Sequence, residues 1–201
     1  MNENLTYGLV VAGVGGQGAV TIAQLILGAA WMDGYHVLQS EVHGMSQRGG
    51  EVSAHIVFSK DPVMSPTIEQ GDADFLLGLE PLETLRHLIY LKKDAHFITS
   101  ITTIENMENY PTSENILSLL KSIDGVKMID SDQIAKEIHF SHGANMTLLG
   151  YASNYLPVNG EVWDKVIRER FASKGEKIVD KNLLAFNTGK KLINNENFVY
   201  Q

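Results

Sequence analysis

Cysteine is absent from this chain of 201 residues. Without a thiol, the chain itself cannot hold a thiolate-ligated iron–sulfur cluster, a cysteine zinc site, a catalytic thiol or a disulfide. No run of apolar residues is long enough to span a bilayer, and the first residues lack the basic and apolar regions of a signal peptide. We therefore expect a cytoplasmic protein that does not associate with membranes.

Basic residues are also few, since Lys and Arg total 16 against 24 Asp and Glu, which gives a formal net charge of −8. An acidic chain without a clustered basic face is a poor partner for nucleic acid or for an anionic membrane surface. Hydrophobic residues make up 44% of the chain and charged residues 20%, as in a globular protein with a substantial core. No linker pattern divides the chain, so we expect a single domain over residues 1–201.

Glycine, in contrast, is concentrated just after a β-branched apolar run. Gly13, Gly15 and Gly18 fit the pattern G-x-G-x-x-G, in which a strand turns tightly into a helix. The free backbone N–H groups and the positive dipole end of that helix would point at whatever lies above the loop. Two interpretations stay open: a pocket for a phosphate or carboxylate, or a tight strand-to-helix corner without a ligand.

Strand and helix patterns alternate as far as Ile138, and only helical patterns follow. The predicted strands cover residues 5–12, 35–40, 51–58, 72–79, 95–100 and 126–129, and the predicted helices cover 19–33, 81–91, 114–122, 131–138, 144–156, 161–172 and 176–192. This alternation predicts an α/β fold with a doubly wound, mostly parallel, Rossmann-like sheet and a helical C-terminal extension over about 144–193. The first two strands would form one βαβ unit, and strict alternation over 51–58 predicts a half-exposed strand.

A long polar segment, residues 41–50, separates the second and third predicted strands. It has three glycines and no helix or strand period. A loop of this length in a compact domain is usually functional or disordered, and its position between two strong strands argues against disorder. Because it leaves the carboxyl end of a strand, as the glycine loop does, we expect the two loops to lie side by side at the ligand-binding edge of the sheet.

The charged side chains of this segment are open to more than one interpretation. Arg48 would pair with a phosphate or carboxylate of a ligand, or with Glu41 or Glu51 in an ordinary ion pair. Glu41 lies where an acid would hold the ribose of NAD, but it opens a long loop instead of a helix, which disfavours nicotinamide binding. A lone His43 is more often hydrogen-bonded than catalytic.

Both loops contribute candidate ligand-binding residues. These are Gly13, Gly15, Gly16, Gln17, Gly18, Glu41, His43, Ser46, Gln47, Arg48 and Gly49. His139 and His142, near Asn145, come without carboxylates at metal-ligand spacing, so we expect no metal site. No Ser-His-Asp order or pair of acids supports hydrolysis, so no catalytic residue is assigned.

Three segments taken together resemble one family. They are residues 13–18 (GVGGQG), 40–50 (SEVHGMSQRGG) and 71–83 (GDADFLLGLEPLE). Over about residues 8–190 the chain resembles the gamma subunit, or gamma domain, of 2-oxoacid:ferredoxin oxidoreductases. The amino-acid sequence of the second segment is most similar to that of the beta subunit of indolepyruvate:ferredoxin oxidoreductase.

The resemblance implies a non-redox subunit of a thiamine diphosphate-dependent enzyme. Such an enzyme oxidatively decarboxylates a 2-oxoacid, here indolepyruvate or another arylpyruvate, with coenzyme A to an acyl-CoA, carbon dioxide and reduced ferredoxin. Thiamine diphosphate and the iron–sulfur clusters would belong to a larger partner subunit, through which ferredoxin is reached. This chain would hold no cofactor alone but would help accommodate coenzyme A in a hetero-oligomer; isolated, it would be inactive, with a dimer as one state open to it.

Two alternatives remain beside this hypothesis. One is a gamma subunit of a pyruvate or 2-oxoglutarate oxidoreductase, and the other is a stand-alone nucleotide-binding regulatory module that uses the glycine loop. In the leading hypothesis, residues 41–50 face the partner subunit near the thiamine site.

Overall fold

A computed structural model describes residues 6–44, 49–194 and 199–200 of the chain. The elements in chain order are β1 (Tyr7–Val14), α1 (Ala19–Met32), β2 (His36–His43), β3 (Glu51–Ser59), β4 (Ala73–Gly78), α2 (Pro81–His87), β5 (Leu91–Ser100), α3 (Ser113–Lys121), β6 (Val126–Ile129), α4 (Ser131–Glu137), α5 (Ala144–Ala152), α6 (Val162–Phe171), α7 (Glu176–Lys191) and β7 (Val199–Tyr200). Within these residues, no helix is both long enough and apolar enough to cross a membrane.

The central strand is β1, which is buried throughout after Tyr7. Side chains alternate across a strand, so Leu9 and Val11 face one hydrophobic layer while Val10 and Ala12 face the other. A strand covered on both faces needs apolar residues at consecutive positions. The cover on both faces of β1 therefore explains why apolar residues follow one another almost without interruption in this strand.

The described strands form one sheet in the order β2-β3-β1-β4-β5-β6-β7. β1, β4, β5 and β6 pair in parallel, and β3 runs antiparallel to both of its neighbours. β2 therefore points the same way as β1, whereas β7 runs antiparallel to β6. Five of these seven strands share one direction, which confirms the prediction of an α/β fold with a mostly parallel sheet.

The third strand occupies a place that the sequence did not indicate. β3 lies between β1 and β2, so that Ala54 pairs with Val11 on one side and with Glu41 on the other. An antiparallel strand thus splits the predicted βαβ unit. The prediction of a half-exposed third strand is wrong, because β3 is buried from Val52 to Ser59. One face packs in the core under α1, and on the other face Val57 packs with Ile68 and His55 against Tyr90.

Helices cover both faces of the sheet. α1, α5, α6 and α7 pack over the face that carries Leu9, Phe75 and Ile98. α2 and α3 cover the opposite face, against Leu76 and Met128. This two-sided cover is the doubly wound arrangement, and the expected helical C-terminal part forms much of the first layer.

Two strands extend well beyond their predicted bounds. α2 ends at His87, and a short 3-10 turn leads into β5, which begins at Leu91 and not at residue 95. β2 continues to His43, so Glu41 and His43 belong to a strand and not to a loop. Both extensions are stabilised by pairing with a neighbouring strand, a long-range cause that a local pattern does not contain.

Candidate functional site

The carboxyl end of β1 passes into α1 through the glycine loop. Gly16 has a φ of +106° and Gly18 a φ of +86°, conformations that residues with a Cβ rarely adopt. A Cβ on Gly18 would lie 2.5 Å from Asn145 Nδ2, whereas a Cβ on Gly16 would meet nothing within 4 Å. Packing therefore requires glycine at position 18, and Gly16 leaves the crest of the loop open.

Gln17 supports the loop from inside. Its Oε1 accepts from Val14 N at 2.8 Å, and its Nε2 donates to the carbonyl oxygen of Leu79 at 2.8 Å. Asn145 Nδ2 donates to the carbonyl oxygen of Gln17 at 3.0 Å. A Cβ on Gly13 would lie 3.0 Å from Gln17 Oε1, so Gly13 makes room for this bridge. Gln17 and Gly13 thus hold the loop in position rather than offering free groups to a ligand.

A cavity of about 390 Å³ opens beside the glycine loop at the carboxyl edge of the sheet. Its lining includes Gly16, Gly18, Ser100, Thr102, Asp132 and Asn145. Its volume is in the range of small-molecule sites. The carboxyl edge of the strands is also where sheets of this kind bind their ligands.

Backbone donors stand at the start of α1. Helix geometry leaves the first N–H groups without intrahelical acceptors, and among the described residues nothing accepts from the N–H groups of Gly18, Ala19 or Val20. No acidic side chain lies in the first turn of this helix of 14 residues. Partial positive charge therefore collects at this end of the cavity, where an anion would be stabilised.

The opposite wall of the cavity carries hydroxyl groups and a carboxylate. Thr102 Oγ1 donates to Asp132 Oδ2 at 2.5 Å, and Ser131 Oγ donates to Ser100 Oγ at 3.4 Å. Asp132 would repel an anion, so an anionic group fits the α1 end and a neutral hydrogen-bonding group fits this wall. Sequence reasoning missed these residues, although Ser100 ends β5 and Ser131 follows β6 at the ligand-binding edge.

A smaller cavity of about 280 Å³ lies on the other side of the glycine loop and is lined by residues that include Gly15, His43 and Val52. His43 Nε2 also lies 3.1 Å from Glu41 Oε2. Gln39 Nε2 donates to the other oxygen of Glu41 at 2.5 Å. The Glu41 carboxylate is therefore engaged along β2, and it lines neither of these two cavities.

The end of the 41–50 segment reaches the glycine loop. Gly15 N donates to the carbonyl oxygen of Gly50 at 2.8 Å, and Asn106 Nδ2 donates to that of Gly49 at 2.7 Å. The structure thus brings the described end of this segment against the glycine loop. Three further candidate ligand-binding residues, Ser46, Gln47 and Arg48, lie outside the described residues.

One known protein family matches the part of the chain that contains the glycine loop and the cavity. The family described as pyruvate ferredoxin/flavodoxin oxidoreductase matches residues 8–192. The chain belongs to this family. The matched range contains the glycine loop, the cavity and the C-terminal helices, and it confirms the resemblance seen in the sequence.

Several relatives match this chain over nearly their full length. The chain is 36% identical over 195 residues to the indolepyruvate oxidoreductase subunit IorB of Thermococcus kodakarensis, covering 92% of this chain and 95% of that one. Among solved structures, the keto/oxoacid ferredoxin oxidoreductase gamma subunit from Geobacter sulfurreducens has a TM-score of 0.70 at 23% identity, covering 93% of this chain and 95% of that one.

A larger structure contains the same fold as a part. The 2-oxoglutarate:ferredoxin oxidoreductase from Magnetococcus marinus, solved with 2-oxoglutarate, coenzyme A and succinyl-CoA bound, has a TM-score of 0.75 at 22% identity. The comparison covers 96% of this chain and 32% of that one, so the present chain spans about a third of its length. At this level of identity the two solved structures support the fold alone.

Proposed function

We propose that this chain is a subunit of a 2-oxoacid:ferredoxin oxidoreductase that acts on indolepyruvate or another arylpyruvate. The observation that carries the proposal is the 36% identity to the indolepyruvate oxidoreductase subunit of Thermococcus kodakarensis, which extends over 92% of this chain and 95% of the relative. The two chains are therefore similar over nearly their whole length. Pyruvate and 2-oxoglutarate are the competing substrates.

The absence of cysteine limits what this subunit contributes. Thiolate-held iron–sulfur clusters need cysteine ligands, and this chain has none. We assign the clusters and thiamine diphosphate to a larger partner subunit, where thiamine diphosphate supplies the electron sink for decarboxylation. In this proposal the chain is inactive alone, works in a hetero-oligomer, and reaches ferredoxin through its partner.

The cavity beside the glycine loop is the part of the chain that suits an anionic cofactor. Gly16 leaves the loop open, and the first turn of α1 offers N–H groups without an opposing acid. We assign Gly16 and Gly18 to a phosphate of coenzyme A or, across the subunit interface, to the diphosphate of thiamine. Gly15 supports the loop instead, because its N–H donates to the carbonyl oxygen of Gly50 at 2.8 Å. In this proposal Arg48 supplies the cation from the neighbouring segment.

Co-purification and reconstitution test the assignment of the subunit. The tagged chain should retain a larger, cysteine-bearing subunit that contains thiamine diphosphate, and the complex should reduce ferredoxin faster with indolepyruvate than with pyruvate or 2-oxoglutarate. Elution of the native chain alone would contradict the proposal, and preference for pyruvate or 2-oxoglutarate would contradict the substrate assignment. Tight binding of NAD, NADP, FAD or ATP to the isolated chain would favour a nucleotide-binding module instead.

Arg48→Ala tests the anion pocket separately. A charge-assisted hydrogen bond contributes roughly 1.5–3 kcal/mol, so the variant complex should show a KM for coenzyme A raised about tenfold or more. Arg168→Ala is the matched control, because Arg168 lies on α6 and pairs with Asp164 at 2.8 Å and Glu176 at 3.1 Å. Unchanged KM values for coenzyme A and 2-oxoacid, with unchanged thiamine affinity, would make Arg48 a structural ion-pair partner.

A further inference from the structure

Three side chains of metal-ligating type meet on the face of the sheet covered by α2, outside both cavities. A carboxylate oxygen of Glu51, one of Glu83 and a ring nitrogen of His87 all lie within 4.8 Å of one another. Glu83 and His87 are one helical turn apart on α2 and project from the same side, and Glu51 joins them from the start of β3. Ligand atoms about 2.0–2.2 Å from a metal ion lie about 3–3.5 Å from each other, so a small inward movement would close the site.

The imidazole of His87 is oriented for ligation. Its Nδ1 lies 2.8 Å from the backbone carbonyl oxygen of Glu83, which can only accept, so Nδ1 carries a proton and donates it. In the neutral ring, Nε2 then has a free lone pair, and it lies 3.5 Å from Glu51 Oε1. Metal-ligating histidines commonly donate their second ring N–H to a carbonyl oxygen in this way. Tyr90 stacks on the ring with centroids 5.9 Å apart.

Glu83 has one carboxylate oxygen to spare. Its Oε1 accepts from Arg86 at 2.9 Å, while Oε2 is buried and has no hydrogen-bond partner among the described residues. Glu83 is only 1% exposed, and burial raises the pKa of its carboxyl group to about 7. A buried carboxylate oxygen without a partner is costly, and a cation held between Glu83 and His87 would satisfy it.

The surroundings add negative charge. Glu80 is completely buried, and its carboxylate accepts from Glu83 N at 2.8 Å and from the hydroxyl of Tyr110. Arg86 offsets part of this charge from the solvent side, where 41% of its side chain is exposed. Glu51 has 42% of its side chain exposed and therefore forms the entrance through which an ion could pass.

We propose that Glu51, Glu83 and His87 bind one divalent transition-metal ion, represented by Zn²⁺, which links α2 to the start of β3. Two carboxylates and an imidazole suit Zn²⁺, whereas Mg²⁺ is held through oxygen ligands. Three protein ligands leave the fourth position to water, on the exposed side of Glu51.

Calorimetric titration of the full chain with ZnCl₂, after EDTA treatment and dialysis, tests this site. The wild-type chain should bind one Zn²⁺, and Zn²⁺ should raise its Tm. Glu51→Gln changes a half-exposed residue and should leave the fold intact, as circular dichroism would report. It should weaken Zn²⁺ binding by about 100-fold or more, because even the loss of an outer hydrogen-bond partner costs about 10–100-fold. Glu83→Gln and His87→Gln should have the same effect.

His43→Asn is the matched control. His43 and Glu41 form a similar pair at 3.1 Å on the exposed strand β2, and no third ligand joins them in the described part of the chain. This variant should bind Zn²⁺ as the wild type does. The proposal is overturned if the wild-type chain binds no Zn²⁺, if His43→Asn loses binding while Glu51→Gln keeps it, or if Mg²⁺ binds equally tightly. The titration requires neither a partner subunit nor turnover, so its failure would leave the proposed function untouched.

Discussion

Gln17 Nε2 donates to the carbonyl oxygen of Leu79 at 2.8 Å and so joins the glycine loop to the end of β4. The same amide accepts from Val14 N at 2.8 Å. Both polar atoms of the Gln17 side chain thus hold the turn between β1 and α1 in place. The conformation that opens Gly16 toward the cavity depends on this bridge as well as on the glycines.

Gln17→Leu should therefore destabilise the fold. The variant leaves Val14 N–H and the Leu79 carbonyl without partners, and each unsatisfied buried group costs about 1–3 kcal/mol. Urea unfolding should show a free energy of unfolding lower by roughly 2–4 kcal/mol. Gln133→Leu is the control, since the exposed Gln133 of α4 only reaches Glu137 at 3.2 Å; its change should stay within about 0.5 kcal/mol. Equal losses in the two variants would contradict the bridge.

Alanine substitutions at Gly16 and Gly18 should separate the cost of backbone strain from the cost of a steric clash. Gly16→Ala meets open space and should cost about 1–2 kcal/mol for its positive φ. Gly18→Ala should cost more, because its Cβ would lie 2.5 Å from Asn145 Nδ2. Thermal and urea unfolding measure both. In Gly18→Ala combined with Asn145→Ala the loss should be smaller than the sum of the single losses; simple additivity would mean that Asn145 does not press on this position.

The glycine loop and the central strand could be predicted from the sequence because their determinants are local. The spacing of Gly13, Gly15 and Gly18 and the apolar run before them encode a strand, a turn and a helix. The position of β3 could not be predicted, since strand order depends on long-range packing and an alternating pattern is the same at an edge and in the centre.

The residues of the candidate site likewise include some that could be predicted from the sequence and some that could not. Ser100 and Thr102 lie at the end of β5, whereas Asp132 lies at the start of α4 after β6. They meet only because parallel strands end at one edge of the sheet. Glu83 and His87 stand four residues apart on α2, but Glu51 comes from β3, and only the fold brings it beside them. The sequence alone therefore does not mark the proposed metal site. The sequence thus indicated the glycine loop that lines the large cavity, but neither the polar wall of this cavity nor the cluster of Glu51, Glu83 and His87.

Tyr110→Phe should weaken the buried contact with Glu80. Tyr110 donates its hydroxyl to the Glu80 carboxylate, and Glu80 is completely buried. Removal of a hydrogen bond to a charged group costs about 1.5–3 kcal/mol, which urea unfolding should detect. Tyr90→Phe is the control, because Tyr90 contributes ring contacts to His55 and His87; its loss should be within about 0.5 kcal/mol. A similar loss in both variants would show that the Tyr110 hydroxyl is dispensable.

Two glycines allow the backbones of α5 and α7 to touch. A Cβ on Gly150 would lie 1.9 Å from the carbonyl oxygen of Phe186, and a Cβ on Gly189 would lie 1.8 Å from that of Thr147. Because the obstructing atoms belong to the backbone, no rotamer change can make room, and an added methyl group must push the helices apart.

Gly150→Ala should consequently lower the free energy of unfolding by at least roughly 1–3 kcal/mol, which is the usual cost of overpacking. Separation of the helices would also loosen the core beside them, where Leu149 and Phe186 are buried. Gly160→Ala is the matched control, since its Cβ would meet only the flexible end of Lys190, with Nζ at 3.0 Å. That variant should change stability by less than about 0.5 kcal/mol. Urea unfolding followed by circular dichroism measures both, and a Gly150→Ala protein as stable as Gly160→Ala would contradict the close approach of α5 and α7.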